Sequence, residues 1–114
     1  YALEGLSALL DTIEKVRRST NPGLRIEGVV RTMFDPRNRL ANDVSAQIVE
    51  HFGEAVFETL VPRNVRLAEA PSYGLPIIHH DDSSRGAQSY RELARELRKR
   101  LRRSVAPAMK EAGA

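Results

Sequence analysis

The sequence predicts an α/β fold, a mostly parallel sheet flanked by helices, and three observations carry that expectation. Helix-period and strand-like segments alternate along the chain, the signature of βαβ units. Both longer strand-like runs end in arginine-bearing loops, "TMFDPRNR" and "PRNVRLAEA", at the sheet edge where open α/β folds keep their ligands. The 41% hydrophobic and 29% charged content belongs to a globular chain rather than a disordered one.

Each element has its own warrant. Residues 2–18 carry Leu3, Leu6, Leu9, Leu10, Ile13 and Val16 at helical spacing, and Asn21-Pro22-Gly23 closes that helix. Residues 24–34, "LRIEGVVRTMF", are β-rich and stop at Asp35-Pro36, so they read as a strand. A second helix follows in "LANDVSAQIVEHFG", with Leu40, Val44, Ile48 and Phe52 on its inner face and Gly53 as its C-cap. Residues 55–61 read as the second strand and 76–80, "PIIHH", as a short third one. The last helix spans 83–105, with Tyr90, Leu93, Leu97 and Leu101 facing inward. One domain over 1–105 and a disordered tail over 106–114 complete the layout. The alternation of Arg25, Glu27 and Arg31 with apolar neighbours implies either a partly open strand face or a carboxylate within reach of Arg31.

Composition excludes several function classes. Without cysteine there is no disulfide, thiolate metal site or cysteine nucleophile. No apolar run approaches the roughly 18 residues of a membrane span. The chain starts at Tyr1, inside a helical pattern and without methionine, which suggests a piece of a longer protein. The formal charge is only +3, but Arg91, Arg95, Arg98, Lys99, Arg100, Arg102 and Arg103 face only Glu92 and Glu96 within the last helix. Such a stretch is either a solvated face or the footprint of an anionic partner.

Motifs narrow the chemistry further. The chain has no GxxxxGK[ST] or GxGxxG loop and no Ser-His-Asp arrangement. His79-His80-Asp81-Asp82 reads as a surface turn, because neighbours on an extended segment point to opposite sides and do not converge on one ion. Asp35 is either a turn residue before Pro36 or a group that orients a ligand; Arg37 and Arg39 read as loop residues.

Four segments, "YALEGLSALLDTIEKVR", "IEGVVRTMFDPR", "HFGEAVFETLVPRNVRLAEAPSYGLPI" and "SRGAQSYRELARE", resemble in order the C-terminal part of the ParA/Soj partition ATPases. The likeness runs from Tyr1 to about Leu97. It implies the C-terminal part of a P-loop NTPase-type domain whose phosphate loop and Walker B strand lie upstream of the matching segment. It also implies ATP and Mg2+ as cofactors of the whole protein and an ATP-bound homodimer. The implied partners are non-specific nucleoid DNA and a ParB-like centromere-binding protein, in the cytoplasm. Matched position by position, Thr32, Met33, Pro62, Arg63 and Asn64 would border the adenine, while Arg37, Arg66 and Arg85 would face DNA; the alternative for Arg66 is a structural pair with Glu69, three positions on, in a short helical turn. Arg31, Leu75 and "DDSSRGA" depart from the family's usual apolar residue, lysine and "DPRSRGA". Two other readings are a MinD-like ATPase piece that meets membrane through its last helix, and a non-enzymatic DNA-binding remnant.

Overall fold

The computed structural model of the protein describes residues 2–113, with side chains described over 3–104. The elements run α1 (Ala2–Ser19), β1 (Val29–Phe34), α2 (Arg39–Phe52), β2 (Val56–Pro62), α3 (Val65–Glu69), α4 (Ile77–His80) and α5 (Arg85–Gly113). Single 3-10 turns, Gly53–Ala55 and Ala70–Tyr73, link α2 to β2 and follow α3. The two strands pair in parallel, so the mixed α/β class read from the sequence is the one observed. The chain forms two compact units, the first made of the residues up to Val29 with Pro36–Val56, the second of Val30–Asp35 with the residues from Phe57 on.

In the first unit, α1 half-buries Leu6, Leu10, Ile13 and Val16. It ends where expected, with the Asn21 side chain accepting from Gly23 N at 3.2 Å in the turn. Asn38 caps α2 by accepting from Leu40 N at 2.9 Å and Ala41 N at 3.2 Å, satisfying amides that have no partner inside the helix. Gly53 closes α2 at φ 54°, a backbone that residues with a Cβ seldom adopt. Val44, Ile48 and Phe52 turn inward, but Leu40 is 70% exposed, so the apolar face starts one turn later than its spacing implies.

The strand expected over 24–34 is paired only from Val29. Arg17 donates to Leu24 O, and Arg25 pairs with Glu27 at 3.5 Å, both before the paired part of the strand begins. Arg31, within the paired part, donates through Nη2 to Phe57 O at 3.0 Å. A backbone carbonyl is thus one partner of the Arg31 side chain.

The second unit buries Phe57, Val61, Ala70, Ile77 and Ala87. Residues 76–80 form the helical turn α4 rather than a third strand. Pro76 presets the turn, and its carbonyl accepts from both His79 N and His80 N at 3.0 Å. Ile77 points into the core and Ile78 out of it, which a short apolar run does not disclose by itself. The last helix, expected over 83–105, runs Arg85–Gly113. Its face toward β2 differs in part from the expected one: Leu93 is half-buried, Tyr90, Leu97 and Leu101 are exposed, and Glu96 and Arg100 pack on the strand. The sheet dictates this. Glu58 N and Thr59 N need acceptors, and a carboxylate supplies them where leucine cannot.

Candidate nucleotide-edge and polyanion site

Parallel pairing puts the carboxyl ends of β1 and β2 side by side, and Arg63 N donates to Phe34 O at 3.0 Å across that junction. Thr32, Met33, Pro62, Arg63 and Asn64 therefore meet at one sheet edge within the second unit. Met33 is 71% exposed there and sits at φ 53°, a left-handed backbone costing a side-chain-bearing residue about 1–2 kcal/mol. Strained backbone of this kind clusters at active sites and ligand clamps, which makes Met33 a candidate contact residue. Thr32 and Arg63 are exposed, and Pro62 is half-buried. Asn64 also starts α3, its side chain accepting from Leu67 N at 3.2 Å.

The proline-bounded stretch after β2 resolves into α3, a 3-10 turn that includes Pro71, and Gly74 in the left-handed region at φ 64°. From α3 the Arg66 side chain reaches two carboxylates, Glu69 Oε2 at 3.1 Å and Asp81 Oδ2 at 3.3 Å. His80 Nε2 lies 3.1 Å from the same Glu69 oxygen, and its ring stacks on Tyr73 with centroids 4.6 Å apart. The hydrogen bond from His80, then that from Arg66, holds the Glu69 carboxyl below the usual carboxylate range. Arg66, exposed as expected, is thus charge-matched inside the fold.

Arg85 opens α5 and is exposed. Arg37 is exposed too, but it belongs to the first unit, whereas Arg66 and Arg85 belong to the second. Further along α5, Arg95, Arg98, Lys99, Arg102 and Arg103 are all exposed. Their spacing puts them on a single helical face. Arg91 is used structurally, against Asp82, and Arg100 lies over the Phe57 ring at 4.1 Å while bonding Glu96 at 3.2 Å. Glu96 is half-buried. Desolvation pushes its carboxyl up, but hydrogen bonds from the Thr59 hydroxyl, Thr59 N and Glu58 N, with the charge of Arg100, outweigh that and leave it below its ordinary value.

Sequence reasoning did not single out Glu96, Tyr73, His80 or Asp81 as partners in these networks. The (i, i+4) spacing of Glu96 and Arg100 was the one available signal, and it reads as an ordinary surface pair. Among the described residues no three His, Asp or Glu side chains converge to hold a metal ion, and no helix is long and apolar enough to cross a membrane.

Comparison with known proteins places the chain in a family. The profile described as "CobQ/CobB/MinD/ParA nucleotide binding domain" matches residues 4–77. The chain is 54% identical over 101 residues to the chromosome-partitioning ATPase Soj of Thermus thermophilus, covering 89% of this chain and 41% of that protein. It is 49% identical over 108 residues to the chromosome partitioning protein ParA of Caulobacter vibrioides, covering 95% and 40%. An uncharacterized protein of Pseudomonas putida is 57% identical over 103 residues, covering 90% and 39%. The chain thus spans about two fifths of the length of these relatives.

Proposed function

The chain belongs to the CobQ/CobB/MinD/ParA nucleotide-binding domain family, and from that premise we propose that it is the C-terminal portion of a ParA/Soj-type partition ATPase. In this reading Thr32, Met33, Pro62, Arg63 and Asn64 form the rim against adenine. The residues fit a base: Met33 and Pro62 offer apolar contact to a flat ring, and Arg63 and Thr32 offer hydrogen bonds to its edge. The observation that carries the reading is the Arg63 N to Phe34 O junction, which joins the two strand ends into one rim. ATP with Mg2+, when bound, supplies the phosphoanhydride to be cleaved. The 114 residues contain no GxxxxGK[ST] loop, so phosphate and metal ligands come from outside them.

Arg37, Arg66 and Arg85 serve DNA in this reading, and within the second unit α5 adds an exposed cationic face. Neutralising phosphates requires a stripe of Lys and Arg but no base-reading helix. An ATP-bound homodimer, a ParB-like partner and residence on the nucleoid complete the proposal. The test is filter binding of the intact protein to duplexes of unrelated sequence, with and without ATP. Equal, salt-sensitive binding to all of them that appears only with ATP is expected. Binding that ignores nucleotide would instead favour a DNA-binding remnant.

The exposed Tyr90, Leu97 and Leu101, next to the cations of α5, favour a MinD-like membrane reading as the competitor. Co-sedimentation with anionic liposomes, with α5 present or truncated, separates the two. Pelleting that depends on α5 would displace the DNA reading.

A further inference from the structure

Arg66 is held by carboxylates whose positions do not depend on it. Asp81 Oδ1 accepts from Ser83 N at 3.3 Å and Ser83 Oγ at 3.0 Å, while its other oxygen meets Arg66. Glu69 is tied to His80, whose side chain is 11% exposed and braced by Tyr73. Arg66 itself sits on the surface, with its side chain 55% exposed. The acids are therefore fixtures of the fold, and the guanidinium is the removable part. An ion pair this open to water is weak, whereas forked hydrogen bonds from arginine to a phosphate are among the stronger contacts a surface can make.

We propose that Glu69 and Asp81 act as a built-in anion mimic, an autoinhibitory clamp that occupies Arg66 until a phosphate group takes their place. This rests on Arg66 facing phosphate, as proposed above, and adds that capture is an exchange. Non-specific contact is weakened until several phosphates are engaged together, and the two acids set that threshold. When Arg66 leaves, the acids keep the Ser83 and His80 hydrogen bonds, so the local fold survives the exchange.

The test uses the intact protein and two probes, inorganic tripolyphosphate and random-sequence duplex DNA. The readouts are the Arg66 side-chain nitrogen resonance for the first and fluorescence anisotropy for the second. Tripolyphosphate should shift the Arg66 resonance, and the Glu69→Gln/Asp81→Asn variant should shift it at a concentration about fivefold lower, the effect of releasing two exposed pairs. That gain should vanish when Arg66→Ala is added. Should the double variant fail to fold, Asp81→Asn alone, which leaves Glu69 on His80, should give a smaller gain of the same sign. A gain that persists without Arg66 would mean the acids act only by long-range repulsion, and would overturn the clamp. So would an Arg66 resonance unmoved at saturating tripolyphosphate. If tripolyphosphate behaves as expected while DNA does not bind, the DNA reading falls and the clamp stands.

Discussion

Glu96 accepts two hydrogen bonds from Thr59, from its backbone N–H at 2.9 Å and from its hydroxyl at 2.6 Å, across 37 residues of sequence. With Glu58 N at 2.8 Å, the carboxylate stands in for a neighbouring strand at this point of β2 and ties α5 to the sheet.

Replacing Glu96 by Ala should therefore destabilise the protein by about 1–3 kcal/mol, because two strand amides lose their acceptor. The contribution is also pH-dependent. The folded carboxyl lies below its ordinary value of about 4.3, so the unfolded chain takes up the proton first as pH falls. Stability from this group is complete well above that value and is lost as pH drops through the depressed folded one. Urea midpoints of wild type and Glu96→Gln should differ most near neutral pH and converge as pH falls below the ordinary carboxylate range. A gap that widens in acid would refute the assignment.

At Gly86, α5 packs directly against Leu67 of α3. A Cβ there would lie 2.4 Å from Leu67 Cγ, inside any tolerable contact. Alanine ordinarily favours a helix over glycine by about 1 kcal/mol, yet overpacking of this degree costs about 1–3 kcal/mol, so Gly86→Ala should lower the melting temperature. Adding Leu67→Ala makes room for the methyl. The double variant should then be more stable than the sum of the two single effects.

Met33 sets conformational strain against exposure. Met33→Gly relieves the left-handed backbone but loosens the unfolded chain, so stability should change by less than about 1 kcal/mol. If Met33 borders adenine as proposed, the rim would lose its apolar contact, and ATP affinity of the intact protein should fall severalfold. Isothermal titration beside a thermal melt gives both numbers. Unchanged affinity would remove Met33 from the rim.

The cations of α5 give a salt-dependent signature. Arg98→Ala with Arg102→Ala should weaken binding alike on every duplex and lower the log–log salt slope by about one unit for each phosphate left without its cation. Arg66→Ala should do the same with a smaller loss of affinity, since its charge is partly spent on Glu69 and Asp81. ATP affinity should hold in all of them. Slopes equal to wild type would show that these side chains face water alone.

Features that depend on near neighbours were legible in the residues alone: α1 and its Asn21 turn, α2 with Gly53 as its cap, the core of both strands, and the family to which the chain belongs. These follow from periodicity, capping and turn chemistry, each settled within a few residues. Tertiary structure decided the rest. Val29 became the first paired residue of β1, while Arg25 and Glu27 pair with each other in the unpaired stretch before it. Residues 77–80 became helical behind Pro76. On α5, the apolar stripe Tyr90, Leu97 and Leu101 stayed exposed while Glu96 and Arg100 packed on β2. The reason is physical. A strand amide takes whichever acceptor packing brings to it, and the acceptor for Glu58 N is 38 residues away, beyond the reach of any local pattern.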